Sequence, residues 1–482
     1  MRYNKFNGPN FRQEETNVEL DERTKRRITT ICEATGWDEA TAKAAMDKAK
    51  ALGITNGKYV ANKGWDFNEK ELRELKEILV LQEQKQKESE LWHAKVVCEK
   101  TGWPLDKALR LMKVAKQKGY SNKLFVTKAL WRKTEEEIEA LPKYEKKVSA
   151  TKAKDVAERN EKAREYRERI MEEMGWTLGK ARLEAKRANV LCGCTGIEFY
   201  LFQIYKRGSE AGNAFITAEY NARMKTRYCD WGGKTHRYFE NKGIFNEAFK
   251  AFVRRKWFLS KTTSYNQFCE IVSGLDKIIA KPLNGIEGIG IRIFNLEPTE
   301  ECYRRVYDEI AAGPPSIVEQ FIVQHPAISE IYPNAVNTIR IMSFLENGEG
   351  KILNAVMKFA TKSNVDNYYQ GSLAVAVDEK TGIVRAEGVD YAGNLYTTHP
   401  YSGKTLKGFQ VPHWDKVIEL IRDAAKVHPE LPYIGWDIAI TPEGPEIVEG
   451  NHNQGAYLCQ YPFAVCLQEG RRHTIDPYLW FD

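Results

Sequence analysis

The sequence predicts an α+β protein in two parts, an all-α front built from a tandem repeat and an α+β body behind it. Three observations predict this. A block beginning Thr35-Gly36-Trp37 recurs at Thr101-Gly102-Trp103. From about residue 231 the texture changes to short β-rich runs between turns, among them DKIIAKPL, SIVEQFIV, NTIRIMSFL, GSLAVAVD, YIGWDIAIT and PEIVEGN. Charge divides at nearly the same place: residues 1–200 hold 42 Lys and Arg against 33 Asp and Glu, a balance of +9, and the remainder holds 31 against 33, or −2. With 482 residues, 42% of them hydrophobic, the chain can bury more than one core, which excludes disorder of the whole.

Residues 1–26 read as an N-terminal tail. The start, MRYNKFNGPNFRQEETN, lacks the apolar stretch of a secretory signal. No run of about 18 apolar residues occurs, so no membrane span is expected. The nine cysteines (Cys32, Cys98, Cys192, Cys194, Cys229, Cys269, Cys302, Cys459, Cys466) are scattered without CxxC pairs and read as reduced thiols of a cytoplasmic protein. Cys192 and Cys194, the one close pair, supply only two of the four ligands a structural metal needs.

Repeat 1 takes residues 27–85 and repeat 2 residues 86–145. Aligned without a gap at an offset of 66, thirteen of 38 positions are identical, among them Ala42/Ala108, Met46/Met112, Gly53/Gly119, Asn56/Asn122 and Trp65/Trp131. Each unit reads as a helical hairpin: an amphipathic helix stopped by Gly53 or Gly119, then a second helix after Asn68 or Thr134. Residues 146–230 hold a long helix and a degenerate third repeat. The stretch 145–172 contains no Gly or Pro and interleaves opposite charges, as a long exposed helix does. The third copy starts at Gly175-Trp176 and keeps Ala181 and the aromatic run Phe199-Tyr200 to Tyr205, with a slippage of about one residue.

A basic front suits an acidic partner, but mixed-sign runs such as Glu135-Glu136-Glu137 interrupt every patch. Nucleic acid would want a single-sign stripe with interleaved aromatics, so none is expected. The repeats read first as a solvated scaffold, with a peptide, carrier or sugar-precursor partner as the functional alternative.

The body, residues 231–482, carries three constellations. In KPLNGIEGIGI a strand ends at Lys281 and runs into a loop with Gly285, Gly288 and Gly290. Glycines let backbone approach a phosphate closely and the lysine supplies the cation. The glycine order is wrong for a dinucleotide fingerprint and the GK[ST] ending of a P-loop is missing, so the loop reads as a flap between two strands or as an ordinary Gly-rich hairpin. The second constellation is Asp437 with Glu449 and Asn451, on two β-runs joined by Thr441-Pro442-Glu443-Gly444-Pro445. A hairpin symmetric about Glu443 sets Asp437 opposite Glu449, and Asn451 shares the face of Glu449 because strand side chains alternate. Two carboxylates and an amide are hard oxygen donors suited to Mg2+. The third is IVEQFI, residues 317–322, followed by Asn337-Thr338-Ile339-Arg340. An apolar strand interrupted by Glu319-Gln320 can present a carboxylate and backbone to an adenine ring, and Arg340 in a strand can clamp a phosphoryl group.

Together these residues resemble the ATP-grasp superfamily, and within it the sugar-transfer-associated branch. The matching stretches are NKGIFN (241–246), KPLNGIEGIGI, VEQFIVQHP, NTIRI, VDNYYQG, HPYSGK and GWDIAITPEGPEIVEGN, over about residues 170–470. The resemblance implies two α+β lobes sandwiching ATP. It implies that Lys242 and Lys281 contact ATP phosphates under a Gly285 to Gly290 lid, and that Glu319, Gln320 and the backbone near Ile322 hold adenine. Arg340, with Lys281, would be catalytic, and Asp437, Glu449 and Asn451 would bind Mg2+. Asp366, Asn367 and His399 match motifs on the side of the accepting substrate. Lys358 stands where an arginine is expected, and Gly371-Ser372 where two glycines are. The activity implied is an ATP- and Mg2+-dependent ligase joining a carboxylate to an amine through an acylphosphate. The alternatives are a phosphotransferase acting on a small acceptor, and a carrier- or peptide-binding protein with a regulatory nucleotide site.

Overall fold

The computed structural model describes residues 21–480 apart from 146–149, 232, 236 and 285–289. The chain divides into two units, Met1–Leu81 with Gly175–Leu183, and Gln82–Met174 with Glu184–Asp482.

In the first unit the Asp21 carboxylate accepts from the backbone N–H groups of Arg23 and Thr24 and so starts the helix Glu22–Thr35, which stops at Gly36 with φ 74°. Asp38 caps the helix Glu39–Ala51 in the same way. Ile28, Ile31, Ala42, Met46 and Ala49 turn inward from these two helices at helical spacing. Between Gly53 and Asn68 the chain makes a further helix, Asn56–Ala61, capped by Thr55, and then a 3-10 turn. The second unit repeats this set: helix Leu105–Gln117, a Ser121-capped helix Asn122–Thr127 and a 3-10 turn, each 66 residues on. The repeat is therefore richer than the two-helix hairpin its sequence predicts. A capping hydroxyl followed by Tyr59, or by Phe125 and Val126, suffices to start a short helix whose apolar side is buried. The third copy also keeps its cap, Thr195 before the helix Gly196–Leu201. Lys63, Ala129 and Gln203 take the same left-handed conformation at its end. The long helix, Ala150–Met174, buries Tyr166 and Ile170 from an otherwise largely exposed length.

Among the described residues the body holds two antiparallel sheets. Strands β1 (Trp257–Leu259), β2 (Lys277–Pro282), β3 (Arg292–Asn295) and β4 (Ser316–Gln320) form the first, in the order β1-β4-β2-β3. Helices Tyr265–Val272 and Glu300–Ala312 cover it through Phe268, Val272, Val306 and Ile310. Strands β5 (Ile339–Glu346), β6 (Glu349–Phe359), β7 (Leu373–Val377), β8 (Gly388–Val389), β9 (Leu395–Tyr396), β10 (Tyr433–Thr441) and β11 (Gly444–Asn451) form the second, in the order β11-β10-β5-β6-β7-β8-β9.

Alternation along these strands positions the site. Ile339 and Ile341 of β5, Met357 and Phe359 of β6, and Ile434, Trp436 and Ile438 of β10 enter one core, together with Phe245, Phe249, Val417 and Ile421 from neighbouring helices. Arg340, Lys358 and Asp437 lie between those positions and so belong to the opposite face. That face is shared with Met342, Phe344 and Tyr433, which enter a second core with Cys459 of the helix Ala456–Cys466.

Candidate functional site

The last hairpin sets the carboxylates. Its turn is not centred on Glu443: β10 and β11 pair from Thr441 opposite Gly444 through Ile438 opposite Ile447, a register that would put Val448 across from Asp437. A bulge at that point inserts one residue, and Asp437 faces Glu449 with Gly435 facing Asn451. Asn451 Nδ2 lies 3.5 Å from Glu449 Oε1. The pairing read from the sequence thus exists, reached through a tighter turn plus a bulge.

Asp437 is buried and doubly countered. Arg340, its direct neighbour on β5, grips it through both ends of the guanidinium, Nε to Oδ1 at 3.0 Å and a terminal nitrogen to Oδ2 at 2.6 Å. Lys358 Nζ approaches Oδ1 at 3.3 Å and Asp366 Oδ2 at 3.4 Å. Burial alone would raise the Asp437 carboxyl, but Arg340 and Lys358 hold it well below the usual carboxylate range. Glu449 goes the other way, pushed up by burial and by the facing Asp437. Lys358 is buried, yet Asp366 and Asp437 outweigh the cost and raise its ammonium above the ordinary value. Asp366 also accepts from Thr338, at 2.8 Å from the backbone N–H and 2.6 Å from the hydroxyl.

At the first sheet, Lys281 Nζ meets Glu319 Oε2 at 2.6 Å. Glu319 is sealed from solvent, and its Oε1 accepts from Asn246 Nδ2 at 2.8 Å and from Arg255 Nε at 2.9 Å. Burial works against its charge, but Arg255 and Lys281 hold it well below the carboxylate range. The side chain of Glu319 is therefore turned to cations. Gln320 exchanges bonds with the backbone of Lys256, 2.8 Å from its own N–H and 3.3 Å to its amide oxygen. Beyond it the chain leaves the sheet through Ile322, partly buried, to Val323, which is 69% exposed. Lys242 opens the helix Lys242–Ala248 behind its Asn241 cap. Its ammonium is lowered by burial, with Glu449, Lys281 and Glu319 all close enough to act on it electrostatically. Gly285 and Gly288 lie outside the described residues. Gly290 takes φ 77°, and a Cβ there would meet Pro282 Cγ at 3.0 Å, so the far end of the loop calls for glycine.

The three residues expected on the acceptor side separate. Asp366 joins the charged cluster through Lys358. Asn367 follows it, with its carbonyl accepting from the Gln370 N–H. His399 is fully buried: Nε2 sits 2.9 Å from the Ala360 carbonyl, and Nδ1 accepts from the Tyr401 N–H at 3.3 Å. Burial pushes this imidazole down, which keeps it neutral.

Two contributors escaped the sequence reading as site members. Lys358 was visible as a lysine inside an apolar strand, AVMKFA. Arg255 stands in the basic run RRKWF, where nothing local says which cation turns inward. Cys192 and Cys194 are both buried, and burial pushes both thiols up. Among the described residues no group of three or more His, Cys, Asp or Glu is gathered for a metal. A cation at the hairpin would rest on Asp437, Glu449 and the Asn451 amide. That set fits Mg2+, which takes few protein oxygens and completes its shell with phosphate and water, and a cation between them relieves the facing carboxylates. No helix among the described residues is long and apolar enough to cross a membrane.

A family model described as sugar-transfer-associated ATP-grasp matches residues 217–474, more than half of the chain. No curated protein matches it. Among solved structures, the ATP-grasp ligase PsnB complexed with minimal precursor is similar at 12% identity and a TM-score of 0.29, over 50% of this chain and 64% of that one. The ADP complex of N5-carboxyaminoimidazole ribonucleotide synthetase is similar at 12% and 0.28, over 48% and 52%. D-alanyl-alanine synthetase A from Vibrio cholerae is similar at 14% and 0.27, over 44% and 55%. In each case this chain spans less than two thirds of the other protein's length.

Proposed function

The chain belongs to the sugar-transfer-associated ATP-grasp family, and from that premise we propose that it is an ATP- and Mg2+-dependent ligase that joins a carboxylate to an amine through an acylphosphate. The observation that carries the reading is the convergence of Arg340, Lys358, Asp437 and Glu449 on one face of β5, β6, β10 and β11, beside Lys242.

In this reading Lys242 and Lys281 bind ATP phosphates beneath the 285–290 loop, and the backbone from Gln320 to Ile322 borders adenine. Glu319 serves by orienting Lys281. Asp437, Glu449 and Asn451 would hold Mg2+, which supplies neutralisation of phosphate charge when bound. A carboxylate oxygen attacks the γ-phosphorus, the bond to the β-phosphate oxygen breaks, and ADP leaves. The amine then attacks the acyl carbon, gives up a proton, and inorganic phosphate departs with the electron pair of the broken C–O bond. Arg340 and Lys358 face the oxygens that gain charge in both steps, so positioning and electrostatic stabilisation carry the rate. His399 keeps the fold around Ala360 in place. The helical repeats hold the partner that brings one substrate, a peptide, carrier or sugar precursor.

The test is to incubate the protein with ATP, Mg2+ and panels of acids and amines and to measure phosphate release. Release that needs both an acid and an amine, and that falls to background in Lys281→Ala and Glu449→Gln, is the expected result. Undiminished turnover in both variants would sink the assignment.

A further inference from the structure

We propose that Arg255 is a positioning residue that ties the phosphate-side lysine to the carboxylate hairpin, so that one buried guanidinium sets both Lys281 and the bulge presenting Glu449. The proposal rests on the ligase reading for the roles of those two residues. Its geometry stands apart from that reading.

Arg255 is 5% exposed and every nitrogen of its fork is used. Toward the first sheet, Nε and a terminal nitrogen meet Glu319 Oε1 at 2.9 and 2.7 Å, and the other oxygen of Glu319 holds Lys281. Toward the second sheet, the other terminal nitrogen donates to the Ile447 carbonyl at 2.8 Å and reaches Glu446 Oε2 at 3.3 Å. A further bond of 3.3 Å goes to the carbonyl of Val448, the residue that bulges. Glu446 Oε2 in turn accepts from the backbone N–H groups of Arg254 and Arg255 at 3.1 and 3.2 Å. The Ile447 N–H donates to the Phe252 carbonyl at 3.0 Å, so the strand is gripped on the turn side of the register shift and at the bulging residue itself.

The charges balance: Arg255 and Lys281 against Glu319 and Glu446. A network that served only to hold the sheets together would need no contact with the bulge carbonyls. This one places its donors on Ile447 and Val448, immediately before Glu449. β11 is the edge of its sheet, which turns the Ile447 carbonyl away from the ladder, and the bulge adds that of Val448; a fixed planar donor set is the side chain able to take two carbonyls and two carboxylates at once. Lysine keeps the charge but radiates three donors from one point.

The experiment compares Arg255→Lys and Glu446→Gln with the unaltered full-length protein. Amide hydrogen exchange is followed at residues 447–450, and ATP binding is titrated at several Mg2+ concentrations. Arg255→Lys is expected to accelerate exchange at the bulge and to raise both the Kd for ATP and the Mg2+ concentration at half-saturation by about tenfold, as loss of an orienting partner does. Glu446→Gln is expected to move all three in the same direction by less. A purely structural role would lower the melting temperature and leave affinities of the folded protein unchanged. That result, or unaltered exchange at the bulge in either folded variant, overturns the proposal. If Arg255→Lys does not fold, Glu446→Gln decides alone. If the unaltered protein binds no ATP while the bulge still responds, the ligase reading falls and the positioning of the hairpin by Arg255 stands.

Discussion

Asp437 and Glu449 stand opposite each other because Val448 bulges out of the ladder between β10 and β11. Without the extra residue, the register set by the turn would bring Val448 to Asp437 and send Glu449 to the other face, where Ile438 and Trp436 pack. The bulge brings Glu449 onto the face of Asp437 and directly opposite it. Burial pushes the Glu449 carboxyl up, and repulsion from the facing Asp437 adds to that push.

Glu449→Gln removes both the repulsion and one of the two carboxylates proposed to hold Mg2+. The expected outcome is a rise of about a hundredfold in the Mg2+ concentration needed for half-maximal phosphate release, because affinity for a hard cation follows ligand charge. A metal titration of the activity checks it. Thermal unfolding without Mg2+ should show the variant at least as stable as the parent.

Arg340→Lys keeps the charge beside Asp437 and loses the two-pronged grip. A point charge cannot reproduce two parallel bonds, and kcat is expected to fall by about a hundredfold or more with a smaller change in the KM for ATP. Steady-state kinetics with ATP varied separates the two effects.

Lys281→Ala exposes a second dependency. It leaves Glu319, buried and held ionised by Arg255 and Lys281, with one cation fewer. The expected cost is about 3 kcal/mol of stability, as for breaking a buried pair, in addition to the loss of ATP binding. Adding Glu319→Gln should restore part of the stability and none of the binding. Urea unfolding and ATP titration on the three variants test this.

His399 offers a pH prediction. Its imidazole is lowered by burial from 6.5. A group depressed in the folded state stabilises above its unfolded pKa and loses that contribution as pH falls through its folded one. Stability measured by urea unfolding should therefore decline as pH drops from about 7 to about 5, and His399→Gln should flatten part of that slope.

The repeat caps can be tested one at a time. Thr55, Ser121 and Thr195 each accept from the N–H three residues on. Substituting any one by alanine should cost about 1 kcal/mol. Chemical denaturation of Ser121→Ala reads it in the second unit.

By itself the sequence determined the features that local patterns encode. The 66-residue offset gave the recurrence of elements, because caps and apolar spacing act within a few residues. The change of texture gave a helical front and an α+β body, and strand alternation gave Glu449 and Asn451 a common face, while the bulge at Val448 decided that it is also the face of Asp437. Tertiary structure decided what depends on partners far along the chain. Arg254, Arg255 and Lys256 look alike in sequence, and only the approach of Glu319 and Glu446, 64 and 191 residues away, turns Arg255 inward. Glu319 faces cations because Lys281 and Arg255 reach it from other elements. His399 is sealed by the carbonyl of Ala360. Burying a charge is costly unless its counter-ions arrive with it, so the direction of each such side chain is settled by the packing of whole sheets and not by the residues beside it.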